Sequence, residues 1–296
     1  MDYRLSVVII TWNSQRDVTP CLDSVLLSIR HLAAEVIVVD NGSTDETCMT
    51  LQSYGSLYGV SDETHEILQP HGIRINFIQL EKNYGVAFAR NAGMKMAKGE
   101  FIWILDVDTI VNRDAIDGMM DYLISHPECG LCACSLQSEK GNIQDSCRRL
   151  PYPEYKIRNL LSGMTGETAF LRRLHEKLKE RNEAQFYHKK LSGSEPFEAE
   201  YVIGACQLFR RTALDEVGYL DKRIFYGPED ADFCLRISRK GYKIVCLPSY
   251  HIVHHYNRIS NRKIFSRISY RHLKGLIYFY LKHKLLHSGT HHENNG

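Results

Sequence analysis

Four short apolar runs, each leading into polar residues, constrain the fold of this chain more than any other feature. Leu5-Ser6-Val7-Val8-Ile9-Ile10 is a mostly β-branched run, as in a strand covered on both faces. Glu35-Val36-Ile37-Val38-Val39, Ile75-Asn76-Phe77-Ile78-Gln79-Leu80 and Phe101-Ile102-Trp103-Ile104-Leu105 are further strands. Helical patterns lie between them. Cys21, Leu22, Val25, Leu26 and Ile29 recur at helical spacing, and Val86 to Ala97 reads as a helix closed by Gly99. Alternation of this kind predicts an α/β fold, a mostly parallel central sheet flanked by helices.

In such sheets ligands bind beyond the carboxyl ends of the strands. Thr11-Trp12-Asn13, Asp40-Asn41-Gly42 and Asp106-Val107-Asp108 all fall at strand ends, so three polar clusters are expected on one edge. Asp106 and Asp108, two residues apart at a strand exit, can face one point. Two unneutralised carboxylates that close repel, and a divalent cation relieves them. Oxygen ligation favours Mg²⁺ or Mn²⁺, which also bind substrate phosphates. Asp40 can accept from a base or ribose, or cap the next helix. Asn83-Tyr84-Gly85 opens the helix that carries Arg90 and Gly93. Gly85 permits close approach of a ligand, and the helix N-terminus with Arg90 favours an anion.

The rhythm breaks from about Ser135 to Glu200. Glu167 to Leu191 is a charged helical segment with seven Lys or Arg against four Glu, as on a solvated face. Tyr201 to Cys206 restarts apolar structure, and a helix follows at Arg211 to Val217. Glu229-Asp230-Ala231-Asp232 then precedes a helix over Phe233 to Lys240, closed by Gly241. Acidic residues suit a helix N-terminus, and one of them can also act as a general base. His251, His254 and His255 follow a strand over Lys243 to Leu247, where one could complete a metal site begun by Asp108.

With 44% hydrophobic and 24% charged residues the chain is an ordinary globular sequence. A net charge of +2 gives no reason to expect nucleic-acid binding. No apolar run is long enough to span a bilayer, and Met1 to Arg4 leads into a strand without a cleavage site; both point to a cytoplasmic chain. Its nine cysteines are scattered and odd in number, the pattern of free thiols. Cys132 and Cys134 fall in a buried strand pattern rather than a zinc site. His255 to His292 holds eight Lys or Arg and no Asp or Glu. Ile264, Ile268, Leu273, Leu276, Ile277, Tyr280 and Leu281 recur there at near-helical spacing. Such a basic helix either lies on a membrane surface or packs on the domain.

In this order the clusters resemble the family 2 glycosyltransferases, from about Leu5 to Tyr256. The resemblance rests on Val7 to Asn13, Val38 to Asp45, Asn83 to Gly93, Trp103 to Asp108 and Glu229 to Asp232. It implies the GT-A fold over residues 1–256, with 257–296 a basic helical arm and tail. It also implies roles. Thr11, Asn13, Asp40, Asn41, Gly42 and Asn83 would bind the nucleotide-sugar, Asp40 on the base. Gly85 and Arg90 would lie near diphosphate and ribose, and Asp106 on nucleotide or sugar. Asp108 and His254 would hold Mn²⁺ or Mg²⁺. Asp230 would be the catalytic base, with Gly204, Ala205 and Glu229 on the acceptor side. The implied reaction is a single in-line displacement from a nucleotide-sugar donor to a glycan or lipid-linked glycan acceptor, with inversion. The setting would be bacterial-type cell-surface polysaccharide or glycolipid assembly, with the enzyme peripheral on the cytoplasmic face of the inner membrane.

The Gln-x-x-Arg-Trp motif of processive members is absent, so one sugar is expected per encounter. Two rivals are a nucleotidyltransferase that makes the donor and a non-catalytic nucleotide-sugar-binding protein. The first would carry a Gly-rich basic loop after the first strand, and Thr11 to Asp17 has no glycine. The second would be expected to lack Asp108 or Asp230.

Overall fold

A computed structural model describes residues 3–57, 60–61, 66–68, 73–155, 185–255 and 267–285. Its elements are β1 (Leu5–Thr11), α1 (Val18–Ile29), β2 (Ala34–Asp40), α2 (Thr47–Leu57), β3 (Val60–Ser61), β4 (Glu66–Leu68) and β5 (Arg74–Gln79). Next come α3 (Val86–Met96), β6 (Phe101–Asp106), β7 (Thr109–Ile110), α4 (Arg113–Ser125), β8 (Cys129–Gln137) and β9 (Cys147–Arg148). The last third holds α5 (His188–Leu191), β10 (Phe197–Glu198), β11 (Tyr201–Val202), β12 (Cys206–Arg210), α6 (Arg211–Val217), α7 (Glu229–Ser238), β13 (Lys243–His254) and α8 (Arg267–His283). Most of the charged Glu167 to Leu191 segment lies outside the described residues, as do Ile264, Phe265 and the C-terminal tail.

The main sheet runs β10-β13-β8-β12-β6-β1-β2-β5-β4-β3, with β7 paired to β13. β6, β1, β2 and β5 are mutually parallel, as the apolar runs predicted. β12 enters antiparallel between β6 and β8, and β13 lies parallel to β8. Carboxyl ends of β1, β2, β6, β8 and β13 therefore share one edge with the start of β12. Since strand residues alternate faces, two cores form. Leu5, Val7, Ile9, Phe101, Trp103 and Leu105 pack with α1 and α4 on one side. Val8, Ile102 and Ile104 pack with α3, α7 and α8 on the other.

Three boundaries differ from expectation. Helix α3 ends at Met96, and its Ala97 N–H bonds to Gly93 O; Gly99 instead lets the chain pass Ser6, where a Cβ would come within 2.6 Å of the Ser6 nitrogen. Helix α7 begins at Glu229, so Glu229, Asp230 and Asp232 form its first turn, where carboxylates suit the positive end of the helix dipole. Strand β13 continues to His254 and so includes His251, because it pairs with β8 and then β7.

All nine cysteines are free, and Cys132 and Cys134 sit buried in β8. No described helix is long and apolar enough to cross a membrane. Helix α8 is docked: Phe279 and Leu276 are buried, Tyr280 donates to Pro151 O at 2.5 Å, and Lys282 Nζ lies 2.5 Å from Asp232 Oδ1. Its outer side exposes Tyr270, Leu273, Ile277 and Leu281.

Candidate active site

At the shared edge a cavity of about 410 Å³ opens beyond β1, β2 and β6. Thr11, Asn13, Asn41, Asn83, Gly85, Asp106 and Asp108 line it, so residues from four separated sequence clusters meet there. Trp12, Ser14, Asp17, Phe225, Tyr226 and Arg271 line it too. None of these six was singled out from sequence. Trp12 carried a signal, as a large aromatic within a polar strand end, and it stays 41% exposed at the cavity.

The loops are held by short polar contacts. Asn13 has φ 53°, in the left-handed region that asparagine tolerates. Its N–H donates to Ser43 Oγ and its Oδ1 accepts from Thr44 N, both at 2.8 Å, tying the loop after β1 to the loop after β2. Asn41 Oδ1 accepts from Tyr84 N at 3.0 Å, and Asn41 Nδ2 donates to Asn83 Oδ1 at 3.2 Å. Gly85 has φ 93°, and a Cβ there would come within 2.6 Å of Phe225 O, so glycine is required twice over.

Asp40 is buried and does not line the cavity. It accepts from Thr11 Oγ1 at 2.9 Å and from Ser43 N at 3.0 Å, while Asp45 serves the start of α2 through Thr47 N. Gly42, with φ 73°, turns the chain against the backbone of Lys82.

Where β7, just beyond the end of β6, pairs with β13, one ligand atom each from Asp106, Asp108 and His254 fall within 4.8 Å of one another. His254 is 3% exposed. Gln144 Nε2 donates to His254 O at 2.8 Å, which leaves Gln144 Oε1 to accept from His254 Nδ1 at 2.7 Å. That arrangement selects the tautomer protonated on Nδ1, and Nε2 lies 3.4 Å from Asp108 Oδ1. Burial lowers the His254 pKa, but Asp108 outweighs it and the net shift is upward. Two carboxylates and a fixed imidazole nitrogen suit a divalent cation that accepts mixed oxygen and nitrogen ligands. Nothing in the sequence marked Gln144.

Behind Asp106 stands Arg90, 3% exposed and outside the cavity lining. Its Nη2 donates to Asp106 Oδ1 at 2.6 Å and to Gly204 O at 2.9 Å, and its Nη1 lies 3.7 Å from Glu229 Oε1. Gly204 is needed here because a Cβ would overlap the guanidinium. Ala205 O accepts from Asp106 N at 3.2 Å, which fixes the exit of β6.

Asp230 Oδ2 accepts from Gly204 N at 3.3 Å and Oδ1 from Ala231 N at 2.7 Å. Burial raises the Asp230 pKa against the Ala231 N–H and the charges of Arg90 and Arg148. Burial and the neighbouring Asp230 push Glu229 to about 7, opposed by Arg90. Two adjacent carboxyls thus hold protons more tightly than usual, Glu229 close to neutrality.

A model of glycosyl transferase family 2 matches residues 6–218. N-acetylglucosaminyl-diphospho-decaprenol L-rhamnosyltransferase of Mycobacterium tuberculosis is 27% identical over 292 residues, covering 94% of this chain and 85% of that protein. Poly-beta-1,6-N-acetyl-D-glucosamine synthase of Staphylococcus epidermidis is 29% identical over 126 residues, 43% of this chain and 27% of its own. The mannosyltransferase PcManGT of Pyrobaculum calidifontis, solved with GDP-Man and Mn²⁺, superimposes with a TM-score of 0.61 at 18% identity, covering 96% of this chain. GalNAc-T7, solved with UDP, GalNAc and Mn²⁺, gives 0.64 at 18% identity, covering 94%. The chain spans 65% and 48% of those two structures, and the shared architecture is the GT-A fold.

Proposed function

Because the chain belongs to glycosyl transferase family 2, we propose that it is an inverting, metal-dependent enzyme that transfers one sugar per encounter. The donor is a nucleotide-diphosphate sugar, the acceptor a glycan or lipid-linked glycan hydroxyl. The single observation that carries this reading is the meeting of Asp106, Asp108 and His254 at the rim of the cavity lined by Asn13, Asn41 and Asn83. A nucleotidyltransferase is not favoured, since Thr11 to Asp17 has no glycine, nor is a non-catalytic binder, since the chain keeps Asp108 and Asp230.

In this reading Thr11, Asn13, Asn41 and Asn83 seat the nucleoside, with Asp40 shaping that wall from behind. Asp108 and His254 hold Mn²⁺ or Mg²⁺, with Asp106 beside them. Such an ion, when bound, offsets charge on the leaving diphosphate. Asp230 takes the proton of the acceptor hydroxyl as its oxygen bonds to the anomeric carbon. The carbon–oxygen bond to the diphosphate breaks, its electron pair leaves on the phosphate oxygen, and the configuration inverts. Gly204, Ala205 and Glu229 frame this side, and Arg90 links Asp106 to Glu229.

Work on a cell-surface glycan is supported by the relatives. The mycobacterial protein is named for L-rhamnosyl transfer to N-acetylglucosaminyl-diphospho-decaprenol, which favours a lipid-linked acceptor here. We place the enzyme at the cytoplasmic face of the membrane, held by the arm of residues 257–296. Tyr270, Leu273, Ile277 and Leu281 form an exposed stripe at helical spacing, and the acid-free basic segment complements anionic lipid.

The test is nucleoside diphosphate release from a panel of sugar nucleotides, with a lipid-linked sugar as acceptor. Acceptor-dependent release by the native protein and none by Asp230→Asn would support the reading. Equal release by both would overturn the base assignment.

A further inference from the structure

The lining of the donor cavity is short of positive charge. Its side chains include Asp17, Asp106 and Asp108, and the single Lys or Arg among the described lining residues is Arg271. Arg90, the cation that sequence reasoning places near the diphosphate, is already engaged with Asp106, Gly204 O and Glu229 behind the cavity wall. With Asp108 and His254 holding the divalent ion and Asp106 engaged by Arg90, a diphosphate would enter a site with little positive charge to spare.

Arg271 comes from α8, the helix of the basic arm. Its guanidinium carbon lies 3.8 Å from the Phe225 ring centroid, and Phe225 lines the cavity with it. Phe225 O accepts from Val86 N at 3.0 Å, so this stack stands at the N-terminal end of α3, where helix amides favour an anion. No ion pair holds Arg271 among the described residues. Stacking on the ring orients the planar fork without using its N–H groups.

The helix beneath it is held firmly. His283 Nε2 and Lys282 Nζ lie 2.7 and 2.5 Å from Asp232 Oδ1, at the first turn of α7. Gly275 packs against Gly227 O, where a Cβ would come within 2.8 Å. Arg271 is thus fixed relative to the turn that carries Glu229 and Asp230.

We infer that Arg271, supplied by the C-terminal helix, binds the diphosphate of the donor and stabilises it as it leaves. This rests on the transferase reading. An arginine fork suits this task because it offers two parallel N–H donors to phosphate oxygens. The arm would then complete the donor site as well as face the membrane.

Calorimetric titration with Mn²⁺ present tests the inference. UDP, GDP, dTDP and CDP are first screened on the native protein. The nucleotide that binds is then compared with its monophosphate on the native, Arg271→Gln and Arg271→Lys proteins. Arg271→Gln is expected to weaken the diphosphate about tenfold or more, to weaken the monophosphate less, and to leave the melting temperature unchanged. Arg271→Lys should recover part of the loss. Equal affinity in native and Gln proteins, or equal loss for both nucleotides, would overturn the inference. A native protein that binds none of the four would overturn the transferase reading itself, and this inference with it.

Discussion

Gln144 accepts the Nδ1 proton of His254 at 2.7 Å, and this one contact decides which imidazole nitrogen faces Asp108. The two residues are 110 positions apart and meet because β13 runs parallel to β8. Partners of this kind tune metal ligands by fixing tautomer and ring orientation. Gln144→Ala should lower Mn²⁺ affinity about 10- to 100-fold, read by calorimetry in the presence of nucleoside diphosphate. Unchanged affinity would remove His254 from the ligand set.

With Asp230 as the proposed base, its raised pKa should set the acid limb of activity. A base works only when deprotonated, so kcat/KM should fall as pH drops through a pKa above the ordinary aspartate range. Glu229 adds a like charge once ionised, near pH 7. Below that pH Glu229 is the neutral acid, which Gln matches, so Glu229→Gln should leave the limb in place. A limb that moves to lower pH, measured as kcat/KM against pH, would show that Glu229 is charged while Asp230 titrates.

Asp232 is fully buried and meets Arg236 Nε at 2.9 Å, Lys282 Nζ at 2.5 Å and His283 Nε2 at 2.7 Å. Burial raises its pKa, but His283, Arg236 and Lys282 outweigh that and hold it below the usual value. A depressed pKa contributes stability that is whole above the unfolded value of about 3.9 and is lost as pH falls through the folded one. At pH 7 the contribution is complete. Asp232→Ala removes the fully buried acceptor shared by Arg236, Lys282 and His283, while Lys282 keeps Asp221 at 2.9 Å and Arg236 keeps its carbonyl partners; it should cost roughly 3 kcal/mol in urea unfolding. A cost under about 0.5 kcal/mol, the scale of a neutral surface change, would mean that Asp232 does not hold α8 in place.

The outer stripe of α8 predicts selective membrane binding. The native protein should co-sediment with vesicles containing anionic lipid and much less with neutral ones. Leu273→Glu with Ile277→Glu should abolish co-sedimentation without loss of the soluble fold. Equal binding to both vesicle types would leave the basic arm without an electrostatic role.

Much of this architecture was legible because strands covered on both faces leave uninterrupted apolar runs, and their ends are where ligands bind. Thr11, Asn13, Asn41, Asp106 and Asp108 follow from that logic, and all five line the cavity. Arg271, Gln144 and the Asp232–His283 contact do not, because each depends on segments brought together across the fold. Arg90 shows the same limit from the other side. An arginine one turn into a helix suggests an anion site, yet here Gly204 and Asp106 have drawn the guanidinium into the protein interior. The antiparallel insertion of β12 was also beyond local pattern, since Cys206-Gln207-Leu208-Phe209-Arg210 carries no signal of strand direction.

The proposed transferase depends on a metal-dependent nucleotide-sugar site built on Asp108 and His254. The most direct test is a thermal-shift comparison of native and Asp108→Ala proteins with UDP, GDP, dTDP and CDP, each with and without Mn²⁺. Ligand that binds only the folded state raises the melting temperature. The native protein should be stabilised by one nucleotide, only when Mn²⁺ is present, and Asp108→Ala by none. Equal stabilisation of both proteins, or binding indifferent to the metal, would contradict the proposal.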